Sequence, residues 1–279
     1  MKTISRLLTS ALILLFASIT AARAINPQKE YTYTPKDFGI EYVEDSVVTS
    51  DGYRINIWNL PGTEENGRSV LIACADAGNM GQWLGIGATL CFLGYDVWMF
   101  DYRGFGGSQD FATDRDMLYH SEYLRDLGAV LEHVAVLRDR PVDVLAFSMG
   151  TIMVGEHLRQ YPGRKSLIRS CIMDGFISDP AESVRILNGD NDNGSGSDGK
   201  SVHLPATPLL SPGFRPQDIS VPMLLIHATE DTVSPRRLLE PLTVSPLVTL
   251  REFDCKHLQA AFTHTEEYFT ALDTFLKAH

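Results

Sequence analysis

The chain carries one serine set where a nucleophile could work. Val142-Asp-Val-Leu-Ala-Phe-Ser-Met-Gly150 is an apolar strand pattern that runs into Ala146-Phe147-Ser148-Met149-Gly150, with a helical pattern following at once. A serine on so tight a strand-to-helix turn stands clear of the backbone. Such a turn needs small residues two before and two after it, here Ala146 and Gly150, because a larger side chain would strike the neighbouring strand or helix. A hydroxyl is a weak nucleophile unless a base takes its proton and an acid steadies that base. Two further strand patterns supply them. Met223-Leu-Leu-Ile-His-Ala-Thr-Glu-Asp231 places Asp231 just beyond a strand, and Phe253-Asp-Cys-Lys-His257 places His257 between the last strand pattern and the final helix. Asp174 ends another strand pattern and competes with Asp231 for the acid role. Glu230 reads as solvated, His264 as structural and His227 as core. His120, His133, His157, His203 and His279 show no metal-ligand grouping, so neither a metal nor a cofactor is expected.

These residues must be positioned by a framework, and its pattern is regular. Residues 41–48 and 53–59 alternate about Ser50-Asp51-Gly52 and read as an antiparallel hairpin. Short apolar runs follow at 69–75, 95–100, 142–147, 167–173, 222–227 and 247–253. Helix-length segments lie between them, notably 115–138, 149–160 and 265–278. Continuous apolar strands alternating with helices imply an α/β domain with a mostly parallel eight-stranded sheet, covered on both faces. The exception is 178–220. Its Asn188–Lys200 stretch of Asn, Gly, Ser and Asp cannot bury a core, and apolar and proline residues follow to Phe214. It reads as a small, partly flexible lid at the edge of the active site, with a plain surface insert as the alternative.

Two of these stretches resemble α/β hydrolases whose third strand ends in His-Gly-Asn-Ala-Gly-Asn and whose fourth ends in Asp-Tyr-Arg-Gly-Tyr-Gly-x-Ser. This chain has Cys74-Ala75-Asp76-Ala77-Gly78-Asn79 and Asp101-Tyr102-Arg103-Gly104-Phe105-Gly106-Gly107-Ser108. Thr49-Ser50-Asp51-Gly52 is similar to the opening hairpin turn, and His227-Ala-Thr-Glu-Asp231 to the acid turn. The likeness runs from about Asp37 to the end, apart from the insert, and includes members of the serine aminopeptidase and esterase group. It implies the α/β-hydrolase fold, the chain order serine, acid, histidine, and an oxyanion hole made by the backbone N–H groups of Met149 and Asp76. His-Gly has become Cys74-Ala75 here. An ionised Asp76 would oppose a developing negative charge unless it points away or pairs with a cation, for which Arg103 is the candidate.

Composition bounds the rest. The first 24 residues combine Lys2 and Arg6, an uncharged apolar stretch from Leu7 to Ala21, and Ala22-Arg23-Ala24. This is the pattern of a signal peptide cleaved after Ala24, leaving 25–279 as a secreted or periplasmic domain. Losing Lys2, Arg6 and Arg23 from 24 basic residues leaves 21 against 35 acidic ones, a formal charge of −14. That balance disfavours nucleic acid and anionic lipid as partners and suits a small neutral or cationic substrate. Cys74, Cys91, Cys171 and Cys255 allow two disulfides in an exported chain, in three pairings; a Cys74–Cys255 bridge beside the active-site loops is one, while Cys91 and Cys171, in apolar helix and strand contexts, read as buried free thiols. The chemistry expected is ester or amide hydrolysis through an acyl-enzyme, with a peptidase as the rival enzyme. A non-catalytic binding protein that keeps the fold is the rival of another class.

Overall fold

The computed structural model describes residues 24–62, 67–188 and 213–279. The leader reading therefore falls almost wholly outside the described residues, as does the centre of the 178–220 insertion. Eight strands form one sheet: β1 (Val43–Val48), β2 (Arg54–Leu60), β3 (Ser69–Ala73), β4 (Asp96–Phe100), β5 (Val142–Phe147), β6 (Ile168–Asp174), β7 (Met223–Ala228) and β8 (Val248–Phe253). Their spatial order is β8-β7-β6-β5-β3-β4-β2-β1. β2 pairs antiparallel with β1 and β4, and every other neighbouring pair is parallel. The expected α/β sheet is present, with each anticipated strand within two residues of its place.

Side-chain alternation divides the core between two faces. Leu71, Val144, Ala146, Met173 and Leu225 point into one layer, covered by α2 (His120–Arg138) and α3 (Met149–Gln160). Val70, Ile72, Leu145, Phe147, Ile172 and Ile226 point into the other, covered by α1 (Leu84–Phe92) and α5 (Thr265–Ala278). The central strands are buried along their whole length, which is why they read as mostly apolar runs without a polar alternation. The edge strands β1 and β8 carry charge outward through Glu44, Arg251 and Glu252, which discourages pairing with another chain.

The insertion leaves β6 through α4 (Pro180–Leu187), which starts on Asp179, whose side chain accepts from the Glu182 N–H. It returns at Phe214, whose N–H donates to the Ser178 carbonyl at 2.7 Å and whose ring meets Phe176. The two described ends are thus tied together at the base of the segment.

Candidate active site

The carboxyl ends of β5, β6, β7 and β8 converge on one place. Ser148 joins β5 to α3 with φ 44° and ψ −109°, a conformation costing a non-glycine residue on the order of 1–3 kcal/mol. The surroundings enforce it. The Ser148 N–H donates to the Asp174 carbonyl at 3.0 Å. Its own carbonyl accepts from the Thr151 N–H at 2.9 Å and from the Thr151 hydroxyl at 2.5 Å. A Cβ on Gly150 would stand 2.3 Å from the Ala73 carbonyl oxygen, so only glycine lets α3 leave so close to β3.

Asp231 and His257 complete a row with it. His257 Nδ1 lies 2.6 Å from Asp231 Oδ2, and Nε2 lies 3.0 Å from Ser148 Oγ. The other oxygen of Asp231 accepts from the N–H groups of Val233 and Ser234, at 2.8 and 2.9 Å. The turn after β7 is knit to the loop after β8 by the Thr229 N–H on Phe253 and the Glu230 N–H on Cys255. Burial penalises the imidazolium, yet the hydrogen bond and charge of Asp231, with Asp174 and Asp76 beyond, outweigh it and hold His257 above its ordinary pKa. Burial likewise opposes ionisation of Asp231, but His257 and the two N–H donors leave its carboxyl below the usual value.

Asp174 lies beside the row, not in it. Its carboxylate accepts from the Tyr268 hydroxyl at 2.8 Å, and burial pushes its pKa up to about 7. The acid that touches His257 is Asp231. Next to Asp174, Gly175 has φ +62° and backs directly onto the imidazole, where a Cβ would come within 2.5 Å of His257 Cε1. Sequence reasoning missed both Gly175 and Tyr268. A glycine directly after a strand-ending Asp was the one available signal.

Met149 is the first residue of α3, so its N–H has no partner within the helix. Asp76 follows β3, partly exposed, and burial of its carboxyl pushes its pKa up, against the pull of its own N–H and of His257. Arg103 does not serve as its partner. Its guanidinium donates to the fully buried Asp126 and to Asp51 and lies over the Tyr53 ring, tying α2 to the hairpin turn. The four cysteines are free and buried, so the Cys74–Cys255 bridge does not form. Four strand spacings of about 4.8 Å separate β3 from β8, far beyond disulfide reach. Cys91 Sγ instead contacts the Pro61 carbonyl at 2.9 Å. Among the described residues, no group of three or more His, Cys, Asp or Glu side chains is arranged to hold a metal ion.

A family model described as alpha/beta hydrolase fold matches residues 70–194. An esterase of Pyrococcus furiosus is similar over 93% of this chain and 99% of its own, with a TM-score of 0.70 at 20% identity. The chain has the α/β-hydrolase fold. An α/β hydrolase from Penicillium sp. sh18 is similar over 86% of this chain and 99% of its own, with a TM-score of 0.67 at 14% identity. A thermophilic esterase from Thermogutta terrifontis is similar over 85% of this chain and 98% of its own, with a TM-score of 0.61 at 17% identity. No curated protein sequence matches the chain. The matched stretch of the α/β-hydrolase fold runs from β3 through α4 and holds Asp76, Ser148, Met149 and Asp174. Asp231 and His257 lie beyond it, and their place beside Ser148 rests on the distances above.

Proposed function

We propose that the protein is an exported serine hydrolase that cleaves a carboxylic ester through an acyl-enzyme. The observation that carries this reading is the unbroken row from Asp231 through His257 to Ser148, at 2.6 and 3.0 Å. With Nδ1–H donating to Asp231, His257 keeps Nε2 as an acceptor for the Ser148 hydroxyl. Ser148 Oγ attacks the ester carbonyl carbon while its proton passes to Nε2. The resulting oxyanion takes hydrogen bonds from the N–H groups of Met149 and Asp76, and Asp231 stabilises the imidazolium. Collapse breaks the bond to the leaving alkoxide, which takes the proton from Nε2. Water then repeats the sequence on the acyl-enzyme, releasing the acid and restoring Ser148.

An ester with a small or medium acyl group is preferred over a peptide, in keeping with the two esterases among the structural relatives. The segment 178–220 is read as a lid beside this site. Export rests on the pattern of residues 1–24, and sequencing of protein recovered from the culture medium or periplasm should begin at Ile25. The Asp76 carboxyl favours one rival reading, a binding protein that keeps the fold without turnover. A fluorophosphonate probe separates the two. Labelling of the purified protein that disappears in Ser148→Ala supports the hydrolase, and a folded wild type that stays unlabelled sinks it. A panel of p-nitrophenyl esters of rising chain length, run beside aminoacyl arylamides, decides between esterase and peptidase.

A further inference from the structure

The segment before the first strand of the sheet lies across the loop that carries Asp76. Asn26 and Pro27 pair in parallel with Ala77 and Gly78. The Asn26 N–H donates to the carbonyl of Asp76 at 2.8 Å, and the Gln28 N–H to that of Gly78 at 2.9 Å. The residue offered above as an oxyanion donor is therefore gripped through its own carbonyl. Only the two backbone dihedrals of Asp76 separate that carbonyl from its N–H. The Asn79 side chain fastens the far side of the loop by donating to the Glu30 carbonyl at 2.8 Å.

Tyr31 closes the arrangement. Its hydroxyl donates to Asp101 Oδ2 and accepts from the Gly107 N–H at 2.7 Å and the Asn56 amide at 3.2 Å, so its one donor and both lone pairs are used. The other Asp101 oxygen accepts from the Met80 N–H at 2.7 Å. One buried carboxylate thus bridges Tyr31 to the end of the Asp76 loop. The socket is shaped for this phenol: a Cβ on Gly106 or Gly107 would stand 2.7 or 3.0 Å from the Tyr31 oxygen. At the start of the segment the Ile25 side chain is fully buried and its N–H donates to the Arg115 carbonyl at 3.0 Å. Cleavage after Ala24 would leave all of these residues on the processed chain, with the Ile25 nitrogen becoming an α-ammonium that can still donate to the Arg115 carbonyl.

We propose that residues 25–33 form a clamp that sets the oxyanion donor of Asp76, with the Asn26 amide and the Tyr31 hydroxyl as its positioning groups. The proposal rests on the hydrolase reading for its catalytic consequence. Loss of an oxyanion donor costs about 10²–10³ in rate, and loosening it costs part of that. The test uses the chain beginning at Ile25. Asn26→Pro removes the N–H without touching a side chain of the site, and Tyr31→Phe removes the hydroxyl. With wild-type ester turnover established, Asn26→Pro should lower kcat roughly ten- to hundred-fold with KM within about threefold, while melting stays cooperative. A kcat within twofold of wild type in the folded variant overturns the clamp. Should Asn26→Pro fail to fold, Tyr31→Phe decides on the same terms. Should the wild type neither turn over esters nor label at Ser148, the hydrolase reading falls and amide hydrogen exchange of residues 76–80 decides the clamp alone. Exchange there at least tenfold faster in the variant supports it, and unchanged exchange overturns it.

Discussion

Gly175→Ala adds one carbon at a place where the structure has no room for it. The new Cβ would stand 2.5 Å from Cε1 and 3.0 Å from Nδ1 of His257, and 3.1 Å from a methyl of Leu258. Carbon atoms in contact settle at about 3.5–4.0 Å, so the imidazole must retreat by about 1 Å. It has nowhere to retreat without loss, since Nδ1 is held by Asp231 at 2.6 Å and Nε2 faces Ser148 at 3.0 Å. A misplacement of about 1 Å in a reacting group can cost about 10² in rate. The backbone adds a separate cost. At φ +62° an alanine forgoes roughly 1–2 kcal/mol against glycine.

The two effects are separable by assay. Turnover of a p-nitrophenyl ester and the rate of fluorophosphonate labelling at Ser148 should both fall about a hundredfold, while melting drops by several degrees. Gly175→Asn provides the control, because asparagine tolerates this conformation better but carries the same Cβ. It should regain part of the melting temperature and none of the rate. A folded Gly175→Ala with kcat within threefold of wild type would refute the reasoning, for it would mean that the position of His257 does not govern the reaction.

Other perturbations follow from the same geometry. Asp231→Asn should cut kcat by a factor on the order of 10⁴. In the wild type, kcat/KM should fall as the pH drops through a value above 6.5, because His257 must be neutral to serve as the proposed base and its pKa is held high; a limb at or below 6.5 contradicts that environment. Asp174→Asn should move this limb to lower pH. For stability the sign is that of a carboxyl raised on folding from 3.8 to about 7. Its contribution is complete below pH 3.8 and is lost as the pH rises through 7, so the variant should melt higher than wild type at pH 8 and equally near pH 4. Gly150→Ala would drive a Cβ to 2.3 Å from a backbone oxygen of β3, and wild-type melting of that variant would count against the tight-turn argument.

The framework was legible because the strands that matter are buried on both faces. Runs such as Val142–Phe147 are apolar except for Asp143, which is buried against Arg68 and Arg169, and the chemistry-bearing residues sit where such runs stop. The helix Leu84–Phe92 was legible only as an apolar helical context around Cys91, without bounds. Leu84, Ile86, Gly87, Ala88, Thr89, Leu90 and Cys91 are all buried, so no polar face marks a helical period. Long-range partners were less legible. The sequence offered Arg103 to Asp76, but Arg103 is committed to Asp126 and Asp51, 23 and 52 residues away. The Tyr31–Asp101 contact spans 70 residues and belongs to a segment that carries no motif. Only the fold brings such pairs together, and local pattern does not record it.

Three carboxyl groups surround one imidazole, and they do not serve the same step. Asp231, Asp174 and Asp76 all favour the charged imidazole, which in the proposed mechanism forms when Ser148 gives up its proton. Asp76 alone belongs to the loop that would bind the oxyanion, so when ionised it also opposes the charge formed in that step. Burial drives its proton on, while the cation on His257 drives it off, and the two effects meet during the reaction itself. Asp76→Asn keeps the backbone N–H and removes the charge, which isolates the carboxylate. The acid limb of kcat/KM should move to lower pH, since one of the groups sustaining the imidazolium is gone. On the plateau kcat should rise, because the oxyanion no longer faces an anion while Asp231 still supports His257. The measurement is a full pH profile of both variant and wild type on one ester. A kcat at least tenfold lower across that range would reverse the argument, for it would mean that the Asp76 carboxyl assists the oxyanion as a proton-bearing donor.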